Sequence, residues 1–209
     1  TLGERGVHNS GWLQSPGALA LRDAVRFRRL EGYVGGVIGH FRDDRRIHGW
    51  DLWNEPCNHN SGTYGPRDLG ERKGEAVEPL LQQTFRWARA ARPSQPLTSG
   101  VWNGEWDDDL RLTPLQRLQI HASDIVSFHC YAPLAHTRHL VAGLRRLGRP
   151  LWCTEYMARP TGSTFPAVTP WLREQRIGAW NWGLVAGRTQ THLAWDTWRT
   201  PCDGEPAEW

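Results

Sequence analysis

The feature that most restricts the fold of this chain is a repeated alternation of short apolar runs with longer stretches of helical period. Apolar runs over 47–53, 96–102, 124–131, 150–156 and 177–183 read as strands. Helical spacing predicts helices over 24–45, 75–92, 114–122, 136–147 and 166–174. In the first of these, Phe27, Leu30, Val34, Val37, Ile38 and Phe41 recur near a 3.6-residue period, which predicts one buried face. Strands that alternate with helices call for parallel strands joined by crossovers, either as a doubly wound sheet or as a (β/α)8 barrel.

The residues at the strand ends separate these two architectures. Each predicted strand closes at its C-terminal side in polar or aromatic residues: Asn54-Glu55, Trp102-Asn103, His129 and Tyr131, Glu155, and Trp182. In a barrel those ends converge on one mouth, whereas in an open sheet the outer ones lie too far apart to cooperate. The predicted fold class is therefore α/β, a (β/α)8 TIM barrel, read as one catalytic domain over 1–209. A complete barrel typically needs about 250 residues, and this chain has 209.

Two of these strand ends carry glutamates. In GWDLWNEPCN, an apolar strand stops at Asn54-Glu55, and Pro56 cannot continue the ladder. A mouth walled by Trp50 and Trp53 suits a carboxyl that must hold a proton to deliver, since desolvation disfavours its charged form. In GRPLWCTEYMARP, Leu151, Trp152 and Cys153 lead to Glu155 in the same manner. Paired carboxyls about 5 to 5.5 Å apart are what a retaining glycosidase uses, one protonating the leaving oxygen while the other attacks the anomeric carbon.

Between the two acids, DIVSFHCY places His129 and Tyr131 on one side of a strand, where both can orient a nucleophilic carboxylate. Trp180 and Trp182 share a face of the last strand, and Trp182 is the candidate floor beneath a sugar ring. The loop of Gly183, Gly187, Arg188, Thr189 and Gln190 offers donors and acceptors for hydroxyls or, equally, a solvated turn. The 13 Trp fit either a core or a glycan groove, so only their positions inform.

Composition excludes several classes. The 25 basic and 22 acidic residues are interspersed, and a net charge of +3 implies no nucleic-acid partner. No run approaches a membrane span, and TLGERGVHNSGW contains no apolar signal-peptide core, so the chain reads as soluble. A signal peptide on the full-length protein would place it in the periplasm or outside the cell. Cys130 and Cys153 read as buried thiols, and a Cys57 to Cys202 disulfide stays open as an alternative to free thiols. The HxH or HExxH spacing of a metal-dependent hydrolase is missing.

Taken in order, NEP at one strand end, His-x-Tyr, a glutamate after an apolar strand and a terminal Trp resemble clan A glycoside hydrolases, especially family 5 cellulase-like enzymes. GVHNSGW, VIGHFRDDRRIHGWDLWNEP, CTEYMARPTGSTF and NWGLVAGRTQT look closest to a bacterial cellulase-family or β-1,4-xylanase-like subgroup. The resemblance implies that Asn54 binds the sugar 2-hydroxyl, that Glu55 is the acid/base and that Glu155 is the nucleophile. It also implies that His129 and Tyr131 line the subsite near that nucleophile and that Trp182 floors the site. Trp102 joins them as a strand-end aromatic, and His8, Asn9 and Trp12 resemble the loop after the third strand.

The predicted activity is retaining hydrolysis of β-glycosidic bonds in a plant-type β-glycan or oligosaccharide, a chemistry that requires no metal or organic cofactor. The alternative is a non-catalytic carbohydrate-binding partial barrel. Nothing in the chain matches the first three barrel strands or their arginine, so it reads as strands 4 to 8 of a longer domain. Open barrel edges predict self-association of these residues alone.

Overall fold

A computed structural model of the chain describes residues 3–11, 14–59, 68–183, 186–187 and 189–203. Trp12 and Arg188, two of the residues singled out above, lie outside them. The chain gathers into two compact units, one of residues 16–129 and 139–152, the other of 1–15, 130–138 and 153–209.

The first unit holds α1 (Ala18–Leu21), α2 (Phe27–Phe41), β1 (Trp50–Asp51), α3 (Lys73–Ala90), β2 (Leu97–Thr98), α4 (Pro114–Ala122) and most of β3 (Val126–Cys130). β1 and β2 pair in parallel, Trp50 opposite Leu97 and Asp51 opposite Thr98. Val101 bridges Phe128 in parallel, donating to the Ser127 carbonyl at 3.0 Å and accepting from the His129 N–H at 2.8 Å. Val126 in turn donates to the Pro150 carbonyl, 2.9 Å away at the entry to β4 (Leu151–Tyr156). Neighbours in the ladder are thus neighbours in sequence, as successive βα units require.

β1 and β2 are shorter than the runs over 47–53 and 96–102 that predict them. After Leu52, whose N–H still reaches the Thr98 carbonyl at 2.8 Å, the chain leaves the ladder for the turn that carries Glu55. α4 spans the predicted residues, because its start is fixed locally. The Thr113 hydroxyl accepts from the Gln116 N–H, the Gln116 side chain accepts from the Thr113 N–H, and Pro114 sits in the first turn.

The core of this unit is built on α3. Val77, Leu80, Leu81, Phe85 and Ala88 recur at three- and four-residue steps and bury one stripe against Leu21, Ile38, Leu97 and Leu115. Each such Leu or Phe withdrawn from water contributes roughly 1.5 to 3 kcal/mol. α2 contributes less than its pattern predicts. Ile38 is buried and Phe27, Leu30 and Val34 pack partly on the core, whereas Phe41, the last helical residue, is exposed. Trp50 and Trp53, read as walls for Glu55, also pack partly on this core, and the Trp50 indole N–H is held by Gln95 Oε1 at 3.1 Å.

In the second unit, β4 continues through Tyr156 and carries β5 (Gly178–Ala179) beside it. The Trp180 N–H donates to the Cys153 carbonyl at 2.9 Å, and the Trp182 N–H to the Tyr156 carbonyl at 3.2 Å. α6 (Phe165–Glu174) buries Val168 and Leu172. Its Thr169 hydroxyl pairs with the Tyr156 hydroxyl at 2.8 Å. The N-terminal segment is sewn to the C-terminal one, with Gly6 accepting from the Cys202 N–H at 2.8 Å and donating to Gln190 Oε1 at 2.7 Å. Gly6 has φ +74°, and a Cβ there would fall 2.1 Å from the Cys202 carbonyl oxygen, so only glycine fits. α5 (Leu134–Arg145) passes along the chain from this unit into the other.

None of the four cysteines is bridged, so the Cys57 to Cys202 disulfide is not formed, and Cys130 and Cys153 are buried as predicted. Among the described residues no helix is long and apolar enough to cross a membrane.

Candidate active site

Glu55 sits where β1 gives way to a turn, and its own backbone carries the strain of that change. Its φ is +43°, the left-handed region that costs a residue with a Cβ on the order of 1 kcal/mol or more. Two bonds hold the turn. Asp51 Oδ1 accepts from the Trp53 N–H at 3.2 Å, and the Asn58 N–H donates to the Glu55 carbonyl at 2.8 Å.

The Glu55 side chain is 13 % exposed, and both of its oxygens are engaged. Oε1 lies 2.7 Å from His129 Nδ1, and Oε2 accepts from Asn58 Nδ2 at 2.6 Å. The histidine contact works in either protonation state. A carboxylate accepts from Nδ1–H, whereas a carboxylic acid donates to a bare Nδ1. A proton can therefore be held at this contact without moving a heavy atom, which is what an acid that must later act as a base requires.

His129, which the sequence pattern set on one side of its strand with Tyr131, is buried in β3, and its Nδ1 is given to Glu55. Gly100 clears room for the imidazole: a Cβ on Gly100 would lie 3.2 Å from both His129 Nε2 and Asp51 Oδ2. Asn54 is exposed next to Glu55. Trp102 is half-buried and its indole N–H is given to the Cys57 sulfur at 3.2 Å.

Two residues here were not anticipated, Asn58 and Lys73. Lys73 is 2 % exposed and donates to the Asn58 carbonyl. Burial lowers its pKa, against the opposing influence of Asp68, Cys57 and Glu55. A signal for Lys73 was in the sequence, since positions 73, 77, 80 and 84 form one helical stripe and only the first and last are polar.

In the second unit, Glu155 lies in β4 and its Oε2 accepts from the Tyr131 hydroxyl at 2.7 Å. The expected partnership of Tyr131 with the second glutamate is thus present. Tyr131 is fixed by the Thr161 hydroxyl, which donates to its carbonyl, and by Trp195, whose ring meets it edge-on at 4.9 Å. Beside Tyr131 opens a cavity of about 550 Å³ lined by His8, Met157, Phe165, Trp182 and Trp195 among others. Trp182, one of the residues lining it, is 43 % exposed.

His8 is buried, with Nδ1 2.6 Å from the Leu193 carbonyl, so Nδ1 carries the proton and donates. Burial lowers its pKa, keeping the ring neutral near pH 7. Asn9 gives its backbone N–H to the Thr189 carbonyl at 2.8 Å and is not among the residues that line the cavity. Gln190, read as a partner for sugar hydroxyls or, equally, as part of a solvated turn, bonds the backbone of Glu4, Gly6 and Val7. Trp195 and Met157 are cavity residues that no sequence pattern had marked.

The fold is similar to that of a β-1,4-mannanase from the common sea hare Aplysia kurodai, with a TM-score of 0.58 and 19% identity over 92% of this chain and 64% of that chain. It is also similar to an intracellular xylanase from Thermoanaerobacterium saccharolyticum JW/SL-YS485, with a TM-score of 0.52 and 16% identity over 75% of this chain and 55% of that one. A xylanase from Paenibacillus barcinonensis gives a TM-score of 0.50 and 17% identity over 92% of this chain and 70% of that one. No protein-family model and no curated protein sequence matches the chain. The fold is thus that of part of a (β/α)8 barrel. The chain spans less than two thirds of the mannanase, 64% of its length.

Proposed function

We propose that this chain carries the catalytic part of a retaining glycoside hydrolase, of family 5 cellulase-like type, acting on β-glycosidic bonds of a plant-type β-glycan or oligosaccharide. Glu55 protonates the glycosidic oxygen while Glu155 attacks the anomeric carbon, which expels the leaving sugar and leaves a covalent glycosyl-enzyme. Glu55, now a carboxylate, takes a proton from water as the water attacks that carbon, and Glu155 departs. The observation that most supports this reading is the distinct partnering of the two glutamates. Glu55 contacts a histidine that can take or give a proton, whereas Glu155 accepts from a phenol, which favours the ionised form a nucleophile needs. Asn54, Trp182 and His8 are the proposed substrate contacts, and a mannanase and two xylanases as fold neighbours agree with a β-glycan.

The test is Glu155→Ala in the full-length protein with an activated aryl glycoside. Hydrolysis is expected to fall to background, and added azide to restore turnover as a glycosyl azide of inverted configuration, because the small anion fills the vacated position. Retained hydrolysis without azide rules out Glu155 as nucleophile.

A further inference from the structure

Lys73 opens α3 at the head of the stripe that buries Val77, Leu80 and Thr84, and only 2 % of its surface is exposed. An ammonium group is costly to bury, and an apolar residue would fill that position at no such cost. Its Nζ donates to the main-chain carbonyl of Asn58. Asn58 in turn holds Glu55 twice, by its N–H to the Glu55 carbonyl at 2.8 Å and by Nδ2 to Oε2 at 2.6 Å. The turn so held includes the left-handed φ of +43° at Glu55, a conformation that persists only where its surroundings enforce it.

We propose that Lys73 is a positioning residue for Glu55: by anchoring the Asn58 carbonyl it fixes the turn, so that the Asn58 amide grips one carboxyl oxygen and leaves the other to His129. The proposal rests on Glu55 being the acid/base. Without the anchor Asn58 relaxes, the carboxyl gains rotational freedom, and its proton is no longer aimed at the departing oxygen. Such a defect matters only where protonation of the leaving group is needed. Asp68, whose side chain is 2 % exposed, lies near enough to act on the same ammonium and offsets part of its burial.

The experiment compares Lys73→Met, Lys73→Arg, Asn58→Ala and Glu55→Gln in the full-length protein on two aryl glycosides, one with a basic phenol as leaving group and one with dinitrophenol. For K73M and N58A, kcat on the first substrate is expected to fall about 100-fold, the scale of a misplacement near 1 Å. On the dinitrophenyl substrate it should stay within about threefold, since that leaving group needs little protonation. K73R, which keeps a charged donor, should recover most of the loss. Uniform losses on both substrates in a folded K73M overturn the proposal. Where K73M does not fold, N58A decides in the same way, because the effect is transmitted through Asn58. If E55Q itself shows no leaving-group dependence, the acid/base reading falls and this proposal with it. If E55Q shows it and the other variants do not, the role of Lys73 alone is overturned.

Discussion

Replacing Tyr131 by Phe removes a single oxygen whose environment is well defined. The hydroxyl donates to Glu155 Oε2 at 2.7 Å, while the ring it leaves behind still meets Trp195 edge-on at 4.9 Å. The carbonyl of Tyr131, which Thr161 holds, is untouched. A hydrogen bond to a charged group contributes about 1.5 to 3 kcal/mol. Tyr131 and Glu155 are only half-buried, so water can replace part of the bond and the lower end applies. At 1.36 kcal/mol per tenfold, about 1.5 to 2 kcal/mol corresponds to a loss of roughly 10- to 30-fold in the proposed formation of a glycosyl-enzyme. The assay is single-turnover release of dinitrophenolate, which reports that step before water enters. Because the ring packing survives and only the hydrogen bond is lost, the melting temperature should fall by no more than about 8 °C. A Y131F protein that releases dinitrophenolate within about twofold of the parent rate would refute the claim that this hydroxyl serves Glu155, since even 1.36 kcal/mol is a tenfold effect.

Two further perturbations bear on the surroundings. Gly100→Ala puts a Cβ 3.2 Å from both His129 Nε2 and Asp51 Oδ2, so one of them must move. A loss of about 1 to 3 kcal/mol in urea denaturation is expected together with reduced turnover, and parental stability with parental activity would show that the site is looser than described. Burial pushes the Asp124 carboxyl up, but two bonds from Arg89, at 3.0 and 3.2 Å, and one from the Leu97 N–H at 2.9 Å outweigh it and hold its pKa below the usual value. A depressed carboxyl stabilises the fold fully above its unfolded pKa of about 3.9 and loses that contribution as pH falls through the folded value. The stability gap between the parent and Asp124→Asn should therefore be wide at pH 6 and narrow at pH 3. A gap independent of pH would contradict this.

Much of the scaffold was legible because its signals are local. α4 begins where Thr113, Pro114 and Gln116 say it must, and the stripe of α3 follows directly from apolar spacing. Strand extents were less legible, because an apolar run marks burial and not pairing. Residues 47–49 are apolar or small in part yet stand outside β1, and Phe41 continued a helical pattern but is exposed at the helix end. At the candidate site, the pairing of Tyr131 with Glu155 was anticipated from strand alternation. The bond from His129 to Glu55 was not, since alternation gives the face of a strand and not which neighbour a side chain reaches. Trp102 was legible as a strand-end aromatic, whereas the bond from its indole N–H to the Cys57 thiol was not. Lys73 was missed for the opposite reason, because a lysine in the first turn of an amphipathic helix is ordinarily read as solvated.

The left-handed backbone at Glu55 also has a consequence for engineering. Glycine and asparagine are at ease at φ +43°, and glutamate is not. A library sorted for heat tolerance alone would be drawn to those residues at position 55, since each relieves the torsion there. The more robust clones would then lack the very carboxyl proposed to move the proton. Stabilisation campaigns on this scaffold need turnover as a simultaneous filter, with position 55 held fixed.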